Sequence, residues 1–550
     1  MFKIIKKKFN LFNQKYKLDA NSLKFIKHNS KIINFDNNKK KPQIALFEFT
    51  NYKSLIVAYS YFAQVFEKNY NCEMFTYDLF NKNLFIKFIN KILKPVRVKE
   101  HQSFGVEKNI NPSIKSLFNK RAIYIYENNI KRLKEKKYLA TLKVDNILIG
   151  DLLYDSYLKH YQLPTLNINE INFKKYTIKF IENFLFWKNY IQNNDVRFII
   201  CHHTVYESAI PIRIGVKKKN CKCFQVTSES VFQLNKKNIF SYKQFEVFNY
   251  KKKFKTKSKK EQILLRQVSK KRINLRFKGV VGVDMGYSTK SSYGSKIYKK
   301  EIIKKSDKIK ILIAPHDFLD NPHFYNGNIF ADFYEWMNFL GKFSNNNKYD
   351  WYVKCHPDYR IKSLKILKSF LIKYPQIKFI PPATSHHQII KEGIDFVFTM
   401  YGTIGWEYPF LGIQCVNASY FNPRYKYNFN INPRNFKEYD FIINNLKKFM
   451  KKINPSQKNE ILEFYYMNYI YYKNTTNWLT DTDRMREKLG GFRFRKYSHT
   501  KSQFYNYFIK NFDLKYHKKI ILGLTKFIKS KKYFYMPSYS SKGNNKKRLL

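Results

Sequence analysis

Three short apolar runs in the second half of this 550-residue chain each end in residues able to handle an anionic ligand. Residues 309–314 lead into Pro315, His316 and Asp317, and residues 351–354 into Cys355, His356 and Pro357 with Arg360 just beyond. Residues 396–400 lead into Tyr401, Gly402, Thr403, Ile404 and Gly405, with Glu407 next on the same helical face as Thr403. In an open parallel sheet, ligands bind outside the carboxyl ends of the strands, where helices begin and backbone amides are free. Two histidines, an arginine, a hydroxyl and a glycine-bearing turn at one such edge suit a diphosphate. Gly402 and Gly405 permit close backbone approach, Thr403 donates to phosphate oxygens, and His356 meets charge developing on a leaving phosphate. Glu407 is placed to accept from ribose hydroxyls.

A transfer reaction also needs a base for the attacking hydroxyl, supplied from across the cleft. Asp151, His202, His203 and Glu207 stand in suitable contexts in the first half, and Asp151 is the leading candidate. His203, together with His316 on the opposite side, completes the expected catalytic set. Pro357, Arg360 and Ser385 complete the expected donor-nucleotide set beside His356, Gly402, Thr403, Gly405 and Glu407. Several of these residues have a plainer reading as well: Asp151 as a capping carboxylate, His316 as a satisfied polar group, Arg360 as a surface charge, Ser385 as a helix cap. No paired Asp motif of the metal-binding kind stands at an expected strand end, so neither a metal nor a cofactor is expected.

These residues need a frame. In the first half, apolar runs at 43–49, 73–77, 196–201 and 222–226 alternate with helical periodicity at 55–66 and 180–190. In the second half, strands at 309–314, 351–354, 377–380, 396–400 and 414–416 alternate with helical segments. The clearest helical stripe is Ile329, Phe330, Phe333, Trp336, Met337 and Leu340. Alternation of this kind predicts two doubly wound α/β domains with parallel sheets covered on both faces. The expected organisation is a basic N-terminal extension (1–42), an acceptor-side domain (43–250), a Lys- and Gly/Ser-rich connection (251–307), a nucleotide-donor domain (308–454) and a helical, basic, aromatic tail (455–550). The connection holds seven lysines in residues 251–260, and neither it nor the Gly/Ser-rich 279–295 is expected to form a core. In the tail, Ile520, Ile521, Leu524, Phe527 and Ile528 share one helical face among lysines, a pattern suited to an anionic membrane surface.

The donor half resembles a known group of enzymes. Lys354-Cys355-His356-Pro357, Ser385-His386-His387, and Thr399 through Glu407 with Gly412-Ile413 are similar to the donor half of bacterial capsule polysaccharide transferases. Related patterns occur in capsular Kdo transferases, polysialyltransferases and CDP-glycerol glycerophosphotransferases. The resemblance spans residues 309–417 and implies a GT-B-type glycosyltransferase whose HP and Ser/Thr motifs hold the donor phosphates. It assigns that role to His356 and Thr403, with Thr403 standing where many relatives carry a serine pair. Residues 149–155 resemble a segment of surface-carbohydrate enzymes. The implied partners are a nucleotide-sugar donor, CMP- or CDP-linked, and a glycan or lipid-linked glycan acceptor.

Composition frames these readings. Lys+Arg 104 against Asp+Glu 40 gives a formal charge of +64, enough to attract any polyanion. An excess of Asn, Ile, Phe and Tyr accompanies the lysine, so part of the charge reflects compositional bias. Six scattered cysteines form no CxxC pair, which suits a reducing cytoplasm. Residues 1–18 lack the continuous apolar core of a signal peptide, and no apolar run approaches the ~20 residues that span a bilayer. The expected location is the cytoplasm, at the inner face of the membrane. Two other readings compete: a nucleotide-sugar epimerase of the same architecture, and a non-catalytic nucleic-acid-binding protein. The second is disfavoured, because no RNA-binding signature accompanies the basic charge.

Overall fold

A computed structural model describes residues 17–33, 42–78, 96–112, 118–227, 230–239, 242–284, 288, 290–294, 296–325, 327–471 and 501–535. Parts of the expected N-terminal extension (1–16, 34–41) and tail (472–500, 536–550) lie outside the described residues.

The described residues form two Rossmann-like α/β units, each built on its own largely parallel sheet. In the first sheet the strands lie in the order Phe534–Tyr535, Val231–Leu234, Lys222–Val226, Val196–Cys201, Gln43–Glu48, Cys72–Tyr77, Val106–Ile110. The five from Lys222–Val226 to Val106–Ile110 run parallel; Val231–Leu234 pairs antiparallel to Lys222–Val226, and Phe534–Tyr535 pairs antiparallel to Val231–Leu234. The second sheet is fully parallel, ordered Ile377–Phe379, Asp350–Val353, Lys310–Ile313, Phe396–Thr399, Gln414–Asn417. In each sheet the first strand in the sequence lies inside, and the order reverses beside it. That reversal opens a crevice between Gln43–Glu48 and Val196–Cys201, and another between Lys310–Ile313 and Phe396–Thr399.

Alternation along a strand sends successive side chains to opposite faces. Ala45 and Phe47 therefore join one core with Phe66 and Phe224, while Leu46 joins another with Phe75, Tyr154 and Trp187. The second sheet repeats the pattern, with Ile311, Ile313 and Trp336 on one side and Leu312, Tyr352 and Tyr408 on the other. Helix Phe333–Ser344 buries Phe333, Trp336, Met337 and Leu340, the expected stripe. It starts after Ile329 and Phe330 because Asp332 caps it, accepting the Glu335 amide at 2.8 Å.

Two expectations about the flanks are corrected. The lysine-rich connection is not coreless: helices Tyr242–Lys255 and Lys259–Phe277 bury Phe254, Leu265, Ile273 and Phe277 against helix Pro455–Tyr465 and Trp406. The lysines occupy the outer faces, so charge density along the sequence concealed a three-to-four spacing of apolar residues. The tail face is not left for a membrane either. In helix Leu514–Lys529, Ile520, Leu524, Phe527 and Ile528 are at most 3% exposed and complete the core over helix Lys53–Tyr70. An amphipathic face reads alike whether lipid or protein covers it. Helix Gln503–Lys510 likewise stacks Tyr505 on Phe25 of helix Ala20–Ile32, with ring centroids 4.1 Å apart. No helix among the described residues is long and apolar enough to cross a membrane.

Candidate functional site

A cavity of about 420 Å³ opens at the carboxyl edge of the second sheet, over the crevice where its strand order reverses. Strand Lys310–Ile313 delivers His316 to its wall. The His316 ring stacks on Phe333 (4.8 Å, 12°), and its Nε2 accepts the Tyr401 amide at 3.2 Å. Burial, reinforced by Arg424, pulls its pKa down to about 3. A ring this hard to protonate, with one nitrogen already engaged, ties the Tyr401–Gly402 turn to the first strand. The residue expected to be catalytic thus stands on the cavity wall as the support of this turn.

Strand Asp350–Val353 continues into Lys354 and His356, both on the cavity wall. Lys354 is 2% exposed, and its ammonium meets His386 Nε2 at 3.3 Å. His386 Nδ1 in turn lies 2.7 Å from Tyr408 Oη. Burial, then the neighbouring cations, hold His386 well below the usual imidazole range. A neutral ring accepting from Lys354 at Nε2 carries its proton on Nδ1 and donates to Tyr408. No carboxylate among the described residues pairs with Lys354, and burial draws its pKa down to about 8. His356 is half-exposed: its Nδ1 accepts the Asp358 amide at 3.0 Å, and burial depresses its pKa.

Strand Phe396–Thr399 supplies the third wall through Gly402 and Thr403. A Cβ on Gly402 would come within 2.9 Å of Thr399 Oγ1, so only glycine lets the turn fold this closely. Thr403 opens the short helix Ile404–Phe410.

Other expected ligands are engaged elsewhere. The Gly405 Cβ position lies 2.8 Å from the buried Arg424 guanidinium, so this glycine serves packing. Glu407 borders the cavity as expected, and there it accepts Arg276 Nε and Nη2 at 2.9 and 2.6 Å and Tyr293 Oη at 3.0 Å. Ser385 caps helix His386–Lys391 and donates to the Tyr293 carbonyl at 2.9 Å, away from the lining. Arg360 pairs with Asp317 at 2.7 Å, and the Pro357 carbonyl accepts Lys290 at 3.3 Å; neither lines the cavity.

Sequence reading missed Arg276, Ser288 and Ser292, which line the cavity from the segment expected to be a connection. Burial acts to lower the Arg276 pKa, but Glu407 outweighs it and the guanidinium is held above its usual value. Lys354 and His386 lay within the quoted motifs but carried no assigned role, since nothing in their spacing reveals that Lys354 would be buried without a carboxylate.

Across the gap, Asp151 is 4% exposed and engages Arg213 through both oxygens, at 2.6 and 3.3 Å. It is the acid of a buried ion pair, which corrects its expected role as base. His203 is exposed, its ring centroid 4.3 Å from that of His202. One turn after Asp151, Asp155 Oδ1 meets His323 Nδ1 at 2.6 Å, with both side chains buried. Tyr154 and Thr165 each donate to Asp332 Oδ2 at 2.6 Å. These contacts join the first domain to the 315–332 segment that carries His316 and Asp317.

No family model matches the sequence, and no curated protein is similar to it. Among solved structures, UDP-GlcNAc 2-epimerase from Neisseria meningitidis bound to UDP-GlcNAc is similar at 8% identity and TM-score 0.22, covering 78% of this chain and 98% of that one. The UDP-GlcNAc 2-epimerase from Methanocaldococcus jannaschii is similar at 12% identity and TM-score 0.20, covering 76% and 97%. The N-terminal domain of Candida albicans trehalose-6-phosphate phosphatase is similar at 10% identity and TM-score 0.22, covering 79% and 94%.

Proposed function

We propose that the chain is a glycosyltransferase that moves a sugar or sugar-like unit from a nucleotide-activated donor to a surface polysaccharide or lipid-linked acceptor. The observation that carries this reading is Lys354, a buried ammonium without a carboxylate on the wall of a cavity of nucleotide size. A buried ammonium with no carboxylate in contact is costly, even with Glu407 acting on it from the same cavity wall, and a phosphate oxygen would satisfy it. His356, Thr403 and Arg276 border the same space and add donors suited to a diphosphate. In this reading residues 308–454 hold the donor, residues 43–250 face the acceptor, and cationic side chains meet the phosphate charge.

The test is a thermal-shift screen against CMP, CDP, UDP and GDP, followed by product analysis of the corresponding sugar donors. A ligand bound only by the folded state raises the melting temperature. Stabilisation by one nucleotide, abolished in His356→Ala and Lys354→Met, together with acceptor-dependent transfer supports the reading. Conversion of donor in the absence of any acceptor would replace it with epimerisation. Salt-sensitive RNA binding without nucleotide stabilisation would replace it with a nucleic-acid-binding protein.

A further inference from the structure

We propose that His202 is the catalytic base of this transfer and Glu48 the residue that positions it; the assignment rests on the glycosyltransferase reading above. The first sheet has its own reversal of strand order, between Gln43–Glu48 and Val196–Cys201. Glu48 ends the first of these strands, and His202 follows the second. The two residues therefore meet at the crevice where an open α/β sheet takes its ligand.

Glu48 is 6% exposed, and its Oε2 accepts the His202 backbone N–H at 2.8 Å. The same oxygen lies 2.7 Å from His202 Nδ1, met off the ring nitrogen's axis, so the contact is electrostatic before it is directional. Catalytic contacts of this kind commonly tighten when substrate binds. Burial alone would raise the Glu48 pKa, but His202 outweighs it and the carboxyl is held below its usual value, charged. Gln225 Nε2 donates to the His202 carbonyl at 2.8 Å, and Tyr52 and His203 flank the ring at 5.4 and 4.3 Å. The peptide is thus fixed, and one ring nitrogen faces the carboxylate. Nε2 has no hydrogen bond among the described residues, and the side chain keeps 16% exposure.

Two carboxylates on the neighbouring helix Gly150–Tyr161 are committed, Asp151 to Arg213 and Asp155 to His323. From the same helix, Lys159 lies within Coulombic range of both Glu48 and Asp320, the latter in the segment that lines the donor cavity through Asp317. The Glu48 end of the first sheet is therefore an electrostatic neighbour of the donor side.

The step balances as a displacement. The acceptor oxygen bonds to the donor's anomeric carbon as that carbon's bond to phosphate oxygen breaks, and the breaking bond's electron pair stays on the nucleotide phosphate. The hydroxyl proton passes to His202 Nε2, Glu48 neutralises the imidazolium, and solvent then takes the proton.

The experiment measures nucleotide release from CMP-, CDP-, UDP- and GDP-activated sugars with a pool of neutral and acidic oligosaccharides. In His202→Ala, kcat should fall by about a hundredfold or more while donor KM and the nucleotide-induced melting shift stay unchanged. Added imidazole should restore part of the lost turnover, a result that a packing role for the ring would not produce. His202→Asn, closer in shape, should be equally slow if His202→Ala folds poorly. Glu48→Gln should lower kcat at least about tenfold at unchanged KM. Full turnover in both His202 variants, or a loss accompanied by lost nucleotide binding and no imidazole rescue, overturns the assignment. A wild type that releases nucleotide from none of the four donors overturns the transferase reading, and the base assignment with it.

Discussion

Lys354 Nζ stands 3.3 Å from His386 Nε2, and the far nitrogen of that ring is 2.7 Å from Tyr408 Oη. The array holds an ammonium inside the protein with a neutral partner, an arrangement that favours an incoming anion. Lys354→Met should therefore leave the fold at least as stable, since removing an unpaired buried charge relieves desolvation. Affinity for the nucleotide that the thermal-shift screen selects should fall at least about tenfold, roughly 1.4 kcal/mol, while affinity for its nucleoside is unchanged. Calorimetry with the two ligands checks this, and an undiminished preference for the nucleotide would separate Lys354 from the phosphate.

The same lysine gives a pH signature. Its pKa near 8 makes the charged form dominant below that value and scarce above it. Wild-type affinity for the nucleotide that the screen selects should thus weaken from pH 7 to pH 9, by up to about tenfold for the unit above 8. Lys354→Met should show no such decline over the same interval. Parallel titrations of the two proteins decide the matter.

Asp151 and Arg213 form a buried pair, and their separation reads as stability rather than chemistry. Asp151→Ala strips a guanidinium that is 3% exposed of its carboxylate, at a cost of about 3–5 kcal/mol. Denaturant unfolding should register that loss, while turnover per folded molecule stays near wild type. A stable Asp151→Ala enzyme without turnover would return the base to this residue.

Much of the frame was legible because strands buried on both faces are written as apolar runs. Val196–Cys201 and Lys222–Val226 lie where periodicity placed them, and each donor-side strand begins and ends within one residue of its expected span. Gly402 and Thr403 emerged for a related reason, since a turn after a strand has a short local signature. Pairings across the fold left no such mark. Nothing local in Glu407 announces Arg276, which lies 131 residues away, and nothing in Asp155 announces His323, 168 residues away. Asp151 and Asp155 stand one turn apart and are buried alike, so only the partner tells them apart, Arg213 for one and His323 for the other.

The Asp155–His323 pair gives the contact between the domains a pH dependence. Burial acts to lower the His323 pKa, but the Asp155 carboxylate outweighs it and leaves it above the ordinary histidine value. A histidine raised on folding contributes stability that is complete below its unfolded pKa, near 6.5, and is lost as pH climbs through the raised folded value. The melting-temperature gap between wild type and His323→Gln should therefore be widest near pH 6 and narrower at pH 9. A gap that widens toward alkaline pH would contradict a protonated His323.

Leu524 decides between the two readings of the tail. A helix lying on lipid would leave the fold indifferent to this residue and tie membrane binding to it. Leu524 is instead wholly buried, in a core shared with Ile56, Phe62 and Phe224. Leu524→Ala should destabilise the protein by about 2–5 kcal/mol, the range for a deleted core leucine. Sedimentation of the folded protein with anionic vesicles should be the same for variant and wild type, because any attraction there comes from lysines the substitution leaves in place. Unchanged unfolding with weakened vesicle binding would reverse the assignment, since the apolar face would then be meeting lipid in solution.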